Sequence, residues 1–211
     1  MKEQPDDFWN ERYNATKYVY GTAPNHFLKE QLSLSKPGNI LLPAEGEGRN
    51  AVYAAKQGWK VTAFDSSSTA KTKALKLAVQ ENVKIDYQVS DVLKFKTGEQ
   101  FDVLGLIYAH FPKNIRQQAH HHLMEFLKPN GKVYFEAFAK EQLKNTSGGP
   151  KTIEMLFSVE EIQEEFSGLK FEFLEQRTIL LAEGVYHKGE AEVIRFVATK
   201  NEQKQLQPNV K

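Results

Sequence analysis

The chain has 211 residues, 40% hydrophobic and 26% charged, enough of each for one packed domain under a solvated surface. Lys and Arg number 28 against 27 Asp and Glu, a net charge of +1, which argues against the clustered basic excess of a nucleic-acid surface. Cysteine is absent, which excludes disulfides, thiolate zinc sites and thiol catalysis and fits a reducing compartment.

The start, Met1-Lys2-Glu3-Gln4-Pro5-Asp6-Asp7, is polar and has none of the apolar run of a secretory signal. The richest apolar stretch, residues 101–111, is too short for a bilayer, which takes about 20 residues. A soluble, cytoplasmic protein with no membrane partner is expected.

An aromatic and polar opening, Phe8-Trp9-Asn10-Glu11-Arg12-Tyr13 and Tyr18-Val19-Tyr20-Gly21, precedes a short helix over 26–34 that Lys36-Pro37-Gly38 closes. Strands and helices then alternate. Strands are expected at 39–42, 60–64, 84–89, 101–107 and 132–138, with helices at 49–57, 69–81 and 115–127 between them. Pro129-Asn130-Gly131 is read as the stop of the last of these helices. Ser158 with Glu161 three residues on forms a capping box for a further helix. Two β-rich segments, 170–182 and 190–199, flank a Gly184…Gly189 loop as a terminal hairpin.

This order predicts an α/β fold. It is a Rossmann-like, doubly wound, mostly parallel seven-stranded sheet with a C-terminal antiparallel hairpin. Residues 1–200 read as a single domain, 1–37 as its helical and aromatic cover, and 201–211 as a polar tail.

The strongest local signal is Leu41-Leu42-Pro43-Ala44-Glu45-Gly46-Glu47-Gly48-Arg49-Asn50-Ala51, in which a strand ends, two glycines turn the chain and a helix begins. Asp65 ends the next strand, where an acid accepts both hydroxyls of a ribose, so the pair points to a nucleoside-containing ligand. Gly46-Glu47-Gly48-Arg49-Asn50-Ala51 also satisfies the dinucleotide fingerprint, which keeps an NAD(P)-dependent oxidoreductase open as an alternative.

The sequence resembles class I S-adenosylmethionine-dependent methyltransferases, nearest the tellurite-resistance and thiopurine methyltransferase-like branch. The resemblance rests on residues 8–13, 20–25 and 44–52 together with Ser90-Asp91-Val92, Ala109-His110-Phe111-Pro112, Leu127-Lys128-Pro129-Asn130-Gly131 and Glu183-Gly184-Val185-Tyr186-His187-Lys188-Gly189. It implies S-adenosyl-L-methionine as cofactor and a small-molecule acceptor: a thiol, a thiopurine-like compound or a chalcogen oxyanion. By the same resemblance Gly46 and Gly48 pass under the methionine portion, Asp65 holds the ribose, and Asp91 with Val92 frames the adenine. Tyr108 and Ala109 lie beside the methyl donor, and Tyr13, Tyr20, Arg49, Asn50, Ser66 and Ser67 complete the cofactor surface. Leu42 and Ala44 stand where the family has Asp and Gly. Glu45 is expected to meet the cofactor's ammonium group instead, and a relic that binds cofactor without catalysis is the other alternative.

In-line methyl transfer is accelerated chiefly by alignment, and a base is needed only where the acceptor must lose a proton. His187 and His110 are the candidate bases, and Arg177 a candidate for an anionic group, as are Arg49 and Arg12. His120-His121-His122 are expected to be solvated residues of a helix, where neighbours diverge by about 100° and cannot converge on a metal. Residues 147–152 are read as a loop flanking the site, and Trp9, Tyr13, Tyr18 and Tyr20 as its lid.

Overall fold

The computed structural model describes residues 5–202, with side chains from Phe8 onward; residues 203–211 of the expected polar tail lie outside the described residues. In chain order the elements are α1 (Pro5–Tyr13), α2 (His26–Ser33), β1 (Asn39–Pro43), α3 (Arg49–Lys56), β2 (Lys60–Asp65), α4 (Ser68–Gln80) and β3 (Asp86–Val89). There follow β4 (Phe101–Ile107), α5 (Lys113–Glu125), β5 (Leu127–Phe138), α6 (Val159–Glu165), β6 (Leu169–Glu183) and β7 (His187–Lys200).

The seven strands form one sheet in the order β3-β2-β1-β4-β5-β7-β6. The first five run parallel, while β7 pairs antiparallel with both β5 and β6. The order reverses between β1 and β4. At that switch point the loops after the two strands part to opposite faces and leave a crevice beyond their carboxyl ends.

Both faces of the sheet are covered, so its central strands are apolar on both sides. Alternation along β1 sends Ile40 and Leu42 into the core under α2 and α3, and Leu41 into the opposite core under α5 and α6. Leu42, in the position where the family carries an acid, is therefore a core residue at 1% exposure; a Cβ on Gly105 would lie 2.6 Å from its Cδ2.

Helix starts follow local chemistry. The Asn25 side chain caps α2, Ser67 caps α4, and Ser158 with Glu161 makes the expected capping box on α6.

Two boundaries differ from expectation. Helix α5 stops at Glu125 and β5 begins at Leu127, because the Phe101 amide already donates to Phe126 O (2.9 Å). Pro129-Asn130-Gly131 lies inside that strand, where Asn130 takes φ +63° and the pairing with β4 shifts register. The terminal hairpin is tighter than read. Glu183 pairs with His187, and Gly184 turns the chain at φ +65° with backbone atoms of Val19 and Tyr20 against it.

Candidate active site

The loop after β1 enters the crevice through backbone conformations that favour glycine. Gly46 has φ +63° and Gly48 φ +86°, and Ala44, at the position of the family's first glycine, holds φ +49°. Gly46 lies at the cavity wall, where a Cβ would come within 2.7 Å of the Tyr13 hydroxyl. Gly48 turns away from the cavity; its Cβ would sit 2.5 Å from that of Ala74, so its smallness serves the packing of α3 on α4.

Two buried carboxylates shape this loop. Glu45 reaches the first turn of α3, where Oε1 accepts from the amides of Asn50 (2.8 Å) and Ala51 (2.7 Å) and Oε2 from Asn50 Nδ2 (3.3 Å). It thus does the work of a helix cap that Gly48 cannot do. Burial pushes its carboxyl up to about 7, against those amide donors and the nearby Arg49. Glu45 thus serves the helix, while the residue also lines the cavity.

Asp65, at the end of β2, accepts from the amides of Gly46 (3.0 Å) and Ser67 (2.9 Å), and so joins the loops after β1 and β2 on one side of the crevice. Asp91 accepts from the Leu93 amide at 2.9 Å and lies on the wall beside Val92.

The aromatic opening packs over this loop. Trp9 stacks on Tyr13 with centroids 5.5 Å apart, and the cover is tied down by a buried ion pair between Lys73 and Glu47. Lys73 Nζ also donates to the carbonyls of Ala15 (2.7 Å) and Lys17 (2.8 Å), while Glu47 Oε2 accepts from the Val19 amide (2.7 Å).

Across the cavity, Tyr108 follows β4 at φ +52°, a strained conformation of the kind found in functional sites. His110 comes next. Its Nδ1 lies 2.8 Å from Met155 O, so the carbonyl fixes the proton on Nδ1 and leaves Nε2 buried and, among the described residues, without a partner. Burial pulls the His110 pKa down to about 4.

His187 opens β7 with its ring among Tyr20 (4.6 Å), Tyr108 (4.8 Å) and Phe138 (5.3 Å). Its Nδ1 is 3.3 Å from Glu183 Oε2, which also takes a 2.8 Å bond from Arg49. Burial lowers the His187 pKa, with the Glu183 contact acting the other way. Burial works to raise Glu183, but His187 and Arg49 overcome it and hold that carboxyl at about 2. Behind Glu183, Asn25 Nδ2 bridges to Glu136 Oε1 (2.6 Å) and Glu183 Oε1 (3.2 Å), and Arg195 pairs with Glu136.

These walls enclose a cavity of about 890 Å³, within the range of small-molecule sites. Of the residues singled out from sequence, Tyr13, Tyr20, Glu45, Gly46, Arg49 and Asn50 line it. So do Asp65, Ser66, Asp91, Val92, Tyr108, His110 and His187.

Four others do not reach it, and a fifth expectation also changes. Gly48 packs on α4; Ser67 is the buried cap of α4, with Oγ on Asn10 (2.7 Å); and Ala109 is a core residue at 1% exposure. Arg177 sits on edge strand β6, half exposed and paired with Glu175, beside a separate groove. Of the three adjacent histidines, His120 is not solvated but fully buried, with Nδ1 2.8 Å from Glu165.

Glu136, Asn25, Arg195 and Phe138 were not anticipated. A lone Glu inside Tyr134-Phe135-Glu136-Ala137-Phe138 and a lone Arg inside Val193-Ile194-Arg195-Phe196-Val197 were the available signals, since a charge within a buried strand needs a partner. The loop Gly148–Thr152 does flank the cavity, as read.

Residues 40–131 match the family model described as "Methyltransferase domain". No curated protein matches the chain by sequence. Among solved structures, that described as "Conversion of a Disulfide Bond into a Thioacetal Group during Echinomycin Biosynthesis" superposes with a TM-score of 0.78 at 14% identity, covering 96% of this chain and 94% of that one. TehB from Haemophilus influenzae gives 0.71 at 17% identity over 93% of this chain and 67% of its own. The N-methyltransferase NodS from Bradyrhizobium japonicum WM9, in complex with S-adenosyl-L-homocysteine, gives 0.66 at 16% over 95% and 90%.

Residues 40–131 therefore match a methyltransferase domain, and the chain as a whole shares its fold with these solved structures. Among the described residues no helix is long and apolar enough to cross a membrane.

Proposed function

We propose that the chain is an S-adenosyl-L-methionine-dependent methyltransferase, rather than a nicotinamide-dependent oxidoreductase, and that it acts on a small-molecule acceptor and not on nucleic acid, within one catalytic domain over residues 1–200 whose first 37 residues form the cover, in the cytoplasm. The observation that carries the reading is the division of the cavity. Amide-held Asp65 and the bare backbone of Gly46 line one side, and the imidazoles of His110 and His187 the other.

The residues present fit the adenosyl cofactor. Asp65 would take the ribose hydroxyls, Gly46 would let the backbone approach the methionine portion, and Asp91 with Val92 would bound the adenine. When bound, the cofactor supplies an electrophilic methyl group on a sulfonium. The chain's part is alignment and dehydration: Tyr13, Trp9 and Tyr20 close the cavity from above, and Tyr108 and Phe138 wall the acceptor side. His187 is placed to receive a proton from an acceptor that carries one. Thiols, thiopurine-like compounds and chalcogen oxyanions are the acceptor classes that the sequence resemblance supports.

Thermal unfolding with S-adenosylmethionine, S-adenosylhomocysteine, NAD and NADP tests the cofactor half. Ligand at about 100 times its Kd adds roughly 2.7 kcal/mol of stability. A shift with the two sulfur ligands alone, lost in Asp65→Ala, is expected; binding retained in that variant would sink the ribose assignment. Methyl transfer is then assayed with thiophenol, 6-mercaptopurine and selenite. If cofactor binds but no acceptor is methylated, the small-acceptor reading fails and the relic remains.

A further inference from the structure

The side chains around His187 carry the proposed function one step further, and the inference rests on that reading. We infer that Glu183 is a positioning residue. It holds His187 in the tautomer with the proton on Nδ1, so that Nε2 faces the acceptor as a bare base, and the acceptor is thereby a protic nucleophile: a thiol or a ring thione with its N–H.

Three observations converge on it. First, an ionised carboxylate only accepts, so the 3.3 Å contact between Glu183 Oε2 and His187 Nδ1 puts the imidazole proton on Nδ1. Second, the carboxylate is itself immobilised. Arg49 bonds the same oxygen at 2.8 Å and Asn25 the other at 3.2 Å, so Glu183 is held from two elements far from its own hairpin. Arg49 opens α3 directly after the cofactor loop, and its ion pair thus couples the wall that takes the cofactor to the strand that carries the base. Third, His187 Nε2 has no hydrogen-bond partner among the described residues, yet it is not one of the buried unpartnered atoms. It keeps some exposure, and His187 lines the cavity.

The groups facing the ring from neighbouring elements are Arg49 on α3, Glu136 on β5, Tyr20 of the cover, Tyr108 after β4 and His110 beyond it. None of these hydrogen-bonds Nδ1; among the described residues Glu183 does so alone. A carboxylate that orients an imidazole while its far nitrogen takes the proton is the arrangement general-base sites converge on.

With a thiol the step balances simply. The sulfur lone pair forms the bond to the methyl carbon, the bond from that carbon to the sulfonium breaks onto sulfur, and the thiol proton passes to His187 Nε2. A thioether and neutral S-adenosylhomocysteine are left. A deprotonated oxyanion has no proton to give, so such a base serves nothing in its methylation.

The test has one arm independent of turnover. In the full chain with S-adenosylhomocysteine, nitrogen NMR of labelled histidine reads the tautomer and titration of His187. The wild type should show the Nδ1–H form. Glu183→Gln should lose that bias and titrate lower, with Glu183→Asp restoring part of both. The double variant Arg49→Gln, Glu183→Gln removes both charges together and answers the same question if the single variant does not fold. An Nε2–H wild type, or a tautomer unmoved in these variants, would overturn the role of Glu183.

The second arm compares wild type with His187→Gln on thiols of falling acidity: 4-nitrothiophenol, thiophenol and 2-mercaptoethanol. The loss in kcat/KM should be about 10²-fold for the least acidic and shrink toward none for the most acidic. An equal loss across the series, or methylation of selenite with none of the thiols, would overturn the protic-acceptor class. Loss of cofactor binding in the wild type would instead mark failure of the underlying functional reading.

Discussion

The two walls of the cavity are built on opposite plans. On the side proposed for the cofactor the carboxylate contacts are short in sequence: Glu45 caps residues five and six positions on, and Asp65 bonds amides two positions on and 19 positions back. On the side proposed for the acceptor they span the chain, with Asn25 and Glu136 separated by 111 positions and Arg49 and Glu183 by 134. One wall is a pair of strand–helix turns that carboxylates hold to backbone amides. The other is a network of charged side chains that exists only once β5, β7 and the β6–β7 hairpin have been laid beside α3. The first needs little more than the parallel sheet to form; the second is only as sound as the whole fold.

The largest expected effect tests that contrast. Glu136 is fully buried and shared by Asn25 and Arg195, so Glu136→Gln leaves an uncompensated cation in the interior and should cost about 3–5 kcal/mol. Denaturant unfolding measures it, and a loss below about 1 kcal/mol would show that the acceptor wall does not depend on the network.

Next come the two glycines. Gly48→Ala forces a side chain into Ala74 at φ +86° and should cost about 2–3 kcal/mol, with cofactor affinity per folded molecule unchanged. Gly46→Ala meets only the movable end of Tyr13 and should cost about 1 kcal/mol, while calorimetry shows cofactor binding weakened. The reverse pattern would return Gly48 to the cavity wall.

The walls also differ in sign against pH. His110 titrates near 4 in the fold against an ordinary 6.5, so the unfolded chain binds its proton first; its contribution is complete above 6.5 and is lost as pH falls toward 4. Glu45 titrates near 7 against 4.5, so its contribution is complete below 4.5 and is lost as pH rises toward 7. Stability measured between pH 4 and 7 should therefore differ between wild type and His110→Gln by an amount that grows with pH, and between wild type and Glu45→Gln by one that shrinks. Parallel profiles would refute the assignment.

The smallest effect belongs to Arg177. With its guanidinium half exposed and its partner a surface glutamate, Arg177→Gln should change stability by less than about 0.5 kcal/mol and leave cofactor affinity as it was.

The order of strands and helices was legible because each element carries its own period and punctuation: small residues on α3, the Ser158 capping box, and the apolar run of β4. The glycine turn and Asp65 were legible for the same reason, since both act on backbone within reach of a few residues. Sequence failed where a residue's meaning depends on what is packed against it. Gly48 and Ser67 belong to the same short motifs as Gly46 and Ser66, yet α4 claims the first pair and the cavity the second. His187 and Arg177 both lie on the terminal hairpin, but His187 starts a strand at the crevice while Arg177 stands midway along an edge.

The sequence by itself determined the mostly parallel sheet, its antiparallel end and the glycine turn after the first strand, because hydrophobic period and backbone chirality are local quantities. Only the tertiary structure decided that Glu45 serves a helix, that Leu42 belongs to the core, and that Glu183 is pinned between Arg49 and His187. The physical reason is that a buried charge is stable only beside its partner, and which partner arrives is settled by how distant elements pack.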